Sequence, residues 1–334
     1  VFADSTSSTS FESPWAFNAH PEIWILVAFF VGAYVYMARV IGPRAVPAGQ
    51  PPVTRRQAGC FAGAVGLFWF AADWPVHDIA EGYLYSVHMF QHMVFSYFVP
   101  PLALLSIPRW MAVAVVGEPS TRSYRVMKFF TSAVIAGVIF NMTVMILHIP
   151  TLVNASAENG LLHYLLHLLV IVTALLMWAP VVGPFEELRI SELGKCVYLF
   201  LMSVVPTVPA GWLTFAEGTV YKHYDQPVRV WGLSPTEDQQ IAGAIMKIGG
   251  GMFLWAIVVY LFFKRYSRNF EQEVSYVRKG RMPAAEITGN DEEPLTYDAV
   301  QAAFDRTPAA DTVSQAAPGG RRSVESEQSP RDDR

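Results

Sequence analysis

The sequence predicts an all-helical polytopic membrane protein with seven transmembrane helices, its N-terminus outside and its C-terminal tail cytoplasmic. Three observations carry that expectation. With 52% of its residues apolar, 16% charged and a mean hydropathy of +0.29, the chain is too hydrophobic for an ordinary soluble protein. Apolar runs recur near the roughly 20 residues that a bilayer core requires. Basic residues gather on alternate connections between those runs.

In order, the apolar runs place spans at Glu22–Ile41, Ala58–Trp74, Tyr83–Ile107, Val126–His148, Leu161–Val182, Leu193–Ala216 and Ile241–Lys264. Short connections rich in Pro, Gly or charge separate them. Residues 1–21 form an extracytoplasmic segment and 22–268 the membrane domain. Over residues 269–334 the composition turns to Ser, Ala, Pro, Gly and mixed charge, too poor in large apolar residues to offset the entropy of ordering, so a disordered tail is expected. No basic n-region with a short apolar core precedes the first span, so no signal peptide is expected.

Orientation follows from charge. Arg39, Arg44, Arg55, Arg56, Arg109, Arg122, Arg125, Lys128, Arg189, Lys195, Lys264, Arg265 and Arg268 fall on one side if the spans alternate, against Lys222 and Arg229 on the other. The mixed charge of the loops and tail gives no reason to expect nucleic-acid binding. Cys60 and Cys196 are the only cysteines and stand far apart, which disfavours a disulfide framework or a thiolate metal cup.

Chemistry concentrates in histidine. The pattern His-x-x-x-His occurs twice, as His88/His92 and His163/His167, each early in a span. Residues four apart share a helix face about 6 Å apart along the axis, so each pair can offer two imidazoles to one ion. With seven alternating spans all eight histidines map to outer loops or outer span ends, and the third and fifth spans run parallel with their pairs at similar depth. Histidine is costly in hydrocarbon, which makes such a cluster a candidate functional site. The fourth span ends at the same depth with Met142, Met145 and His148, and the seventh opens with Asp238, Gln239, Gln240 and then Met246. Imidazole suits copper, zinc, nickel and iron, and thioether sulfur favours Cu(I), so a cluster interleaved with Met89, Met93, Met142, Met145 and Met246 leans to copper. The bland alternatives are histidines hydrogen-bonded within the bundle and methionines filling its core. His20, His77 and His223 lie in loops, where solvated histidines are expected, although His77 beside Asp78 is placed to deliver an ion or orient a ligand.

Other chemistries fit less well. A zinc protease needs Glu directly after the first His of the pair, where Met89 and Tyr164 stand. A di-iron bundle needs several inward carboxylates, which the spans lack. A single bis-His haem remains open. Pro100, Pro101, Pro206 and Pro209 are expected to bend the third and sixth spans, and Gly249, Gly250 and Gly251 to permit close helix approach.

The stretch His88-Met89-Phe90-Gln91-His92-Met93 followed by Pro100-Pro101, the stretch His148-Ile149-Pro150 leading to His163, His167 and Trp178, and Asp238-Gln239-Gln240 with Ala242, Gly243 and Met246 together resemble the seven-span CtaG-type assembly factors of caa3-family cytochrome c oxidases. The resemblance runs from about Trp15 to Phe270. It implies a role in maturing a haem-copper oxidase in the bacterial plasma membrane, near its copper centre, with the oxidase catalytic subunit as partner.

The reading that joins both lines is a non-enzymatic copper-binding assembly factor. His88, His92, His163, His167, His148 and Met145 are the expected ligands of copper as Cu(I), with His77, Asp238, Gln239 and Met246 orienting or delivering. An extracytoplasmic copper donor is the further partner. The rivals are a copper transporter or resistance protein, a haem-binding redox protein, and a metal-free assembly scaffold.

Overall fold

The computed structural model describes residues 13–280 together with positions 297 and 301. Every regular element among the described residues is helical. Most of the expected tail, and residues 1–12 of the expected N-terminal segment, lie outside the described residues.

Among the described residues, the membrane unit runs as far as Arg268. Helix α1 (Pro21–Ala45) is apolar on nearly all sides, and only 6% of its apolar window is buried, so it sits at the edge of the bundle. Thr54 caps α2 (Arg55–Ala72) through a capping box with Gln57. Asp73 ends that helix and accepts hydrogen bonds from the indoles of Trp24 and Trp69, at 2.8 and 2.7 Å. The short α3 (Val76–Gly82) follows at a 43° bend. Helix α4 (Tyr85–Ser106) passes through a widened π turn at Val94–Phe98 just before Pro100 and Pro101. The widened turn lets the Val99 N–H reach the Val94 carbonyl, and the Ser96 carbonyl, which Pro100 cannot serve, accepts from Trp178 instead, so the helix continues through the two prolines.

Helix α5 (Arg109–Val116) turns off α4 by 97°, and the polar α6 (Arg122–Phe130) meets α7 (Ala133–Leu147) at 62°. The expected fourth span is thus two helices. Thr131 ends the first by hydrogen bonding back to the Met127 carbonyl through both its N–H, at 2.8 Å, and its hydroxyl, at 2.9 Å. Helix α8 (Pro150–Glu158) leads to α9 (Gly160–Val182), capped by the Asn159 side chain. Helix α10 (Glu192–Thr214) is interrupted after Val204, where Pro206 stands. Helix α11 (Pro235–Glu271) opens on a capping box of Ser234 and Glu237. Helix continues beyond that range within the element Gly251–Gly280, past the boundary at 268 that composition indicates.

Among the described residues, four helices are long and apolar enough to cross a membrane, or up to seven if each bent pair is one span. Helix α4 lies at the centre, packed against α2, α9 and the first part of α11, while α9 also packs on α7. The lower core joins Tyr97, Phe140, Met177, Trp178, Leu199 and Leu254 from five helices. In hydrocarbon such contacts are held by close packing and interhelical hydrogen bonds rather than by water exclusion. Trp178 accordingly donates to the Ser96 carbonyl at 2.9 Å, and the Tyr198 hydroxyl to that of Met177 at 3.0 Å.

Close helix approach does not use the expected glycines as a set. Nothing lies within 4 Å of a Cβ built on Gly249 or Gly251, while one on Gly250 would meet Tyr97 at 3.1 Å and Met93 Sδ at 3.2 Å. A tight contact between helices is at Gly243, where a Cβ would lie 2.6 Å from the Ala210 carbonyl oxygen and 2.5 Å from Thr214 Oγ1.

Candidate metal centre

The first turn of α4 is held by another helix. Asp238 of α11 accepts from the N–H of Tyr85 at 2.7 Å and from that of Ser86 at 3.0 Å, supplying from across the fold the cap that Leu84 lacks. One turn on, this fixes His88 and then His92. Gln239 next to it accepts from the N–H groups of Val220 and Tyr221, at 2.8 and 3.1 Å, and so pins the connection between α10 and α11. The Tyr221 hydroxyl then donates to the His148 carbonyl at 3.0 Å. Asp238 thus holds the backbone that carries His88 and His92, and Gln239 reaches His148 only through Tyr221.

Helices α4 and α9 are neighbours, and their two histidine pairs meet. Ring centroids lie 4.5 Å apart for His88 and His92, 4.2 Å for His163 and His167, 5.6 Å for His88 and His163, and 4.9 Å for His92 and His167. One ring nitrogen from each of His88, His163 and His167 falls within 4.8 Å of the other two. His92 Nε2 is 3.2 Å from His167 Nε2. Two ligand nitrogens on one tetrahedral ion stand about 3.3 Å apart, given metal–nitrogen bonds of roughly 2.0–2.1 Å. Without an ion, one of the two rings must donate to the other.

His148 approaches from the end of α7. Its Nδ1 lies 2.7 Å from the Val144 carbonyl and must carry the proton, which leaves Nε2 with its lone pair free. That Nε2 is buried without a hydrogen-bond partner, as are His88 Nδ1 and His163 Nε2. Buried polar atoms are nearly always paired, so three such nitrogens around one space fit a cation that completes them. The donor set is imidazole, with thioethers below it. Met89, Met93 and Met246 line a small cavity of about 30 Å³ with His92 and His148. Met142 is exposed on the far face of α7, and Met145 lines neither this cavity nor the larger one above it, because Val144, Leu147 and His148 occupy the inward face.

The larger cavity, about 700 Å³, opens above the histidines and is walled by α3, α4, α8, α9 and the turn at His223 and Tyr224. Its rim departs from the expected solvated loop histidines. His20 and His77 are 7% and 2% exposed, and half-buried His223 places Nε2 2.9 Å from the Glu81 carbonyl. His20 sits between Glu22 at 3.3 Å and Asp78 at 3.1 Å. Burial disfavours its charged form, but the hydrogen bonds and negative charge of Asp78 and Glu22 outweigh it and raise its pKa above the usual histidine value. One further residue belongs here. Glu81 stands 2.9 Å from His163 Nε2 and 3.3 Å from His77 Nε2, with its side chain 38% exposed. No role was assigned to it from the sequence, although the i, i+4 spacing His77/Glu81 was a usable signal.

The family model described as cytochrome c oxidase caa3 assembly factor (Caa3_CtaG) matches residues 32–268, which contain both histidine pairs, His148, Glu81 and Asp238. No curated protein and no solved structure matches the chain. The match spans most of the sequence and the whole of the histidine centre, and the chain belongs to the caa3 cytochrome c oxidase assembly factor family.

Proposed function

We propose that the protein binds Cu(I) at the His88, His92, His163 and His167 cluster and hands it to the catalytic subunit of a haem-copper oxidase during assembly. In this reading each bent helix pair is one span, which makes seven. The N-terminus and the histidine centre face the outside of the bacterial plasma membrane, and the basic helix ends face the cytoplasm. The observation that carries the reading is the meeting of nitrogens from His88, His163 and His167 within 4.8 Å. Soft thioethers beneath, from Met89, Met93 and Met246, favour Cu(I) over harder ions.

Each residue has a defined task. His148, locked with Nε2 free, faces the same space from α7 and completes the donor set. Asp238 holds the backbone that presents His88 and His92, and Gln239 reaches His148 through Tyr221. The open cavity allows a donor and then an acceptor protein to reach the ion from one side. Below the centre the bundle closes on Tyr97, Phe140, Met177, Trp178 and Leu254. That apolar plug argues against conduction through the bilayer, and hence against a transporter. A bis-His haem would need nitrogens about 4 Å apart, twice a metal–nitrogen bond, whereas His92 and His167 stand at 3.2 Å.

The test is elemental analysis of protein purified in detergent under reducing conditions, native against His88→Ala/His92→Ala. Near-stoichiometric copper, lost in the variant, is the expected result. Iron in place of copper would redirect the reading to haem, and normal oxidase copper in cells carrying the double variant would make the protein a metal-free scaffold.

A further inference from the structure

We infer that Glu81 is a cation ligand at the mouth of the cavity, which takes the incoming ion together with His163 and passes it to the inner imidazoles, with His77 as its positioning residue. The inference rests on the proposed copper centre and concerns how that centre is loaded.

Position is the first argument. Glu81 lies between solvent and the buried rings, with a side chain 38% exposed, while His163 and His77 are 5% and 2% exposed. A carboxylate placed so can meet a hydrated ion at one end and a buried ligand at the other. Geometry is the second. Glu81 Oε1 is 2.9 Å from His163 Nε2, yet that nitrogen has no partner in hydrogen-bond geometry. A close nitrogen–oxygen pair that is not aligned as a hydrogen bond suits two ligands converging on one cation.

His77 has a different part. The Gln91 amide donates to the Ala71 carbonyl at 2.7 Å and faces His77 Nδ1 at 3.3 Å, so His77 accepts at Nδ1 and carries its proton on Nε2. That nitrogen lies 3.3 Å from Glu81 Oε2 and, like His163 Nε2, is outside hydrogen-bond geometry. Carrying its proton there, His77 has no lone pair on that nitrogen for the ion and faces the carboxylate as an outer partner of a metal ligand does.

Chemistry is the third argument. Carboxylate oxygen suits hard cations and holds Cu(I) weakly, whereas imidazole and thioether hold it well. An ion at Glu81 consequently moves inward. His163 belongs both to the Glu81 contact and to the group with His88 and His167, so one bond is kept while another is exchanged. The step is ligand substitution: the ion leaves a Glu81 oxygen and gains a nitrogen of His88 or His167, with no change of oxidation state. Asp78 and Glu22 beside His20 add negative charge at the rim.

The experiment follows transfer of Cu(I) from its bicinchoninate complex to the full chain in nanodiscs, by the fading colour of the chelate. Glu81→Gln should slow loading by about 10- to 100-fold while the inner imidazoles still fill, and Glu81→Asp, which keeps the charge, should recover much of the rate. His77→Gln should slow loading in the native background and add nothing to Glu81→Gln, a coupling that a merely structural residue would not show. Equal rates for native and Glu81→Gln protein overturn the inference and leave the inner centre standing. So does a Glu81→Gln variant that loads at the native rate to lower final copper, which would make Glu81 a permanent ligand. A native chain that takes no copper fails the proposed function itself.

Discussion

Asp238 shows how one side chain can govern a centre it does not enter. It is 2% exposed, and each carboxylate oxygen takes one backbone N–H of the first turn of α4. Asp238→Ala would leave two buried donors unpaired, at a cost of about 1–3 kcal/mol for a buried group without its partner. The expected outcome is a lower melting temperature and faster loss of copper to a competing chelator, with Asp238→Asn, which keeps one acceptor, in between. Unchanged melting and retention would mean that α4 is held by packing alone. At this scale the two histidine pairs were legible because a repeat of four residues is visible in any helix. The part of Asp238 was legible only as a polar group near the site, since capping a helix some 150 positions away depends on tertiary adjacency. Glu81 was legible only through its i, i+4 spacing from His77, because a charge between two spans reads as solvated until the cavity above the histidines is seen. Met142 and Met145 carry donor atoms that suit copper, but neither lines the two cavities, where Val144, Leu147 and His148 of the same helix stand.

Elements were legible by length, and their shapes were not. Apolar runs located α4, α9, α10 and α11 to within a few residues at most ends, because hydrocarbon thickness demands such runs. The 62° bend between α6 and α7 has no proline or glycine to announce it and arises where Thr131 turns its hydroxyl back to Met127. Two π turns, Val94–Phe98 and Ile245–Gly250, lie on facing stretches of α4 and α11, where Gly250 abuts Tyr97 and Met93 just below the histidines. Close approach of α10 and α11 depends instead on Gly243. Gly243→Ala places a methyl against backbone, which cannot retreat as a side-chain end can, and overpacking of this kind costs about 1–3 kcal/mol. Gly249→Ala meets nothing within 4 Å and should stabilise by roughly 0.5–1 kcal/mol through helix propensity. Thermal unfolding followed by tryptophan fluorescence in detergent distinguishes the two. Equal effects would show that the α10–α11 contact is looser than the distances at Gly243 indicate.

For the whole molecule, the proposed delivery of copper requires that the histidine end face outward, and the two native cysteines give a direct test. Cys60 follows Arg55 and Arg56 in α2, and Cys196 follows Lys195 in α10, so both lie near the basic end of the bundle. With the proposed orientation, a membrane-impermeant maleimide added to right-side-out vesicles should leave both unlabelled until the vesicles are permeabilised. Two exposed reporters complete the experiment: Glu217→Cys on the connection that follows α10 at the histidine end, and Glu118→Cys between α5 and α6 at the basic end. Glu217→Cys should react in sealed vesicles, and Glu118→Cys only after permeabilisation. The asymmetry rests on charge, since moving many Lys and Arg side chains across the bilayer during insertion is unfavourable and they stay on the cytoplasmic side. The reverse pattern would place the cavity and its histidines in the cytoplasm, out of reach of an outer copper donor, while leaving the geometry of the centre unchanged. Labelling of both reporters in sealed vesicles would instead reduce the number of crossings between them to an even one, and one of the bent helix pairs would then enter and leave the membrane on the same side.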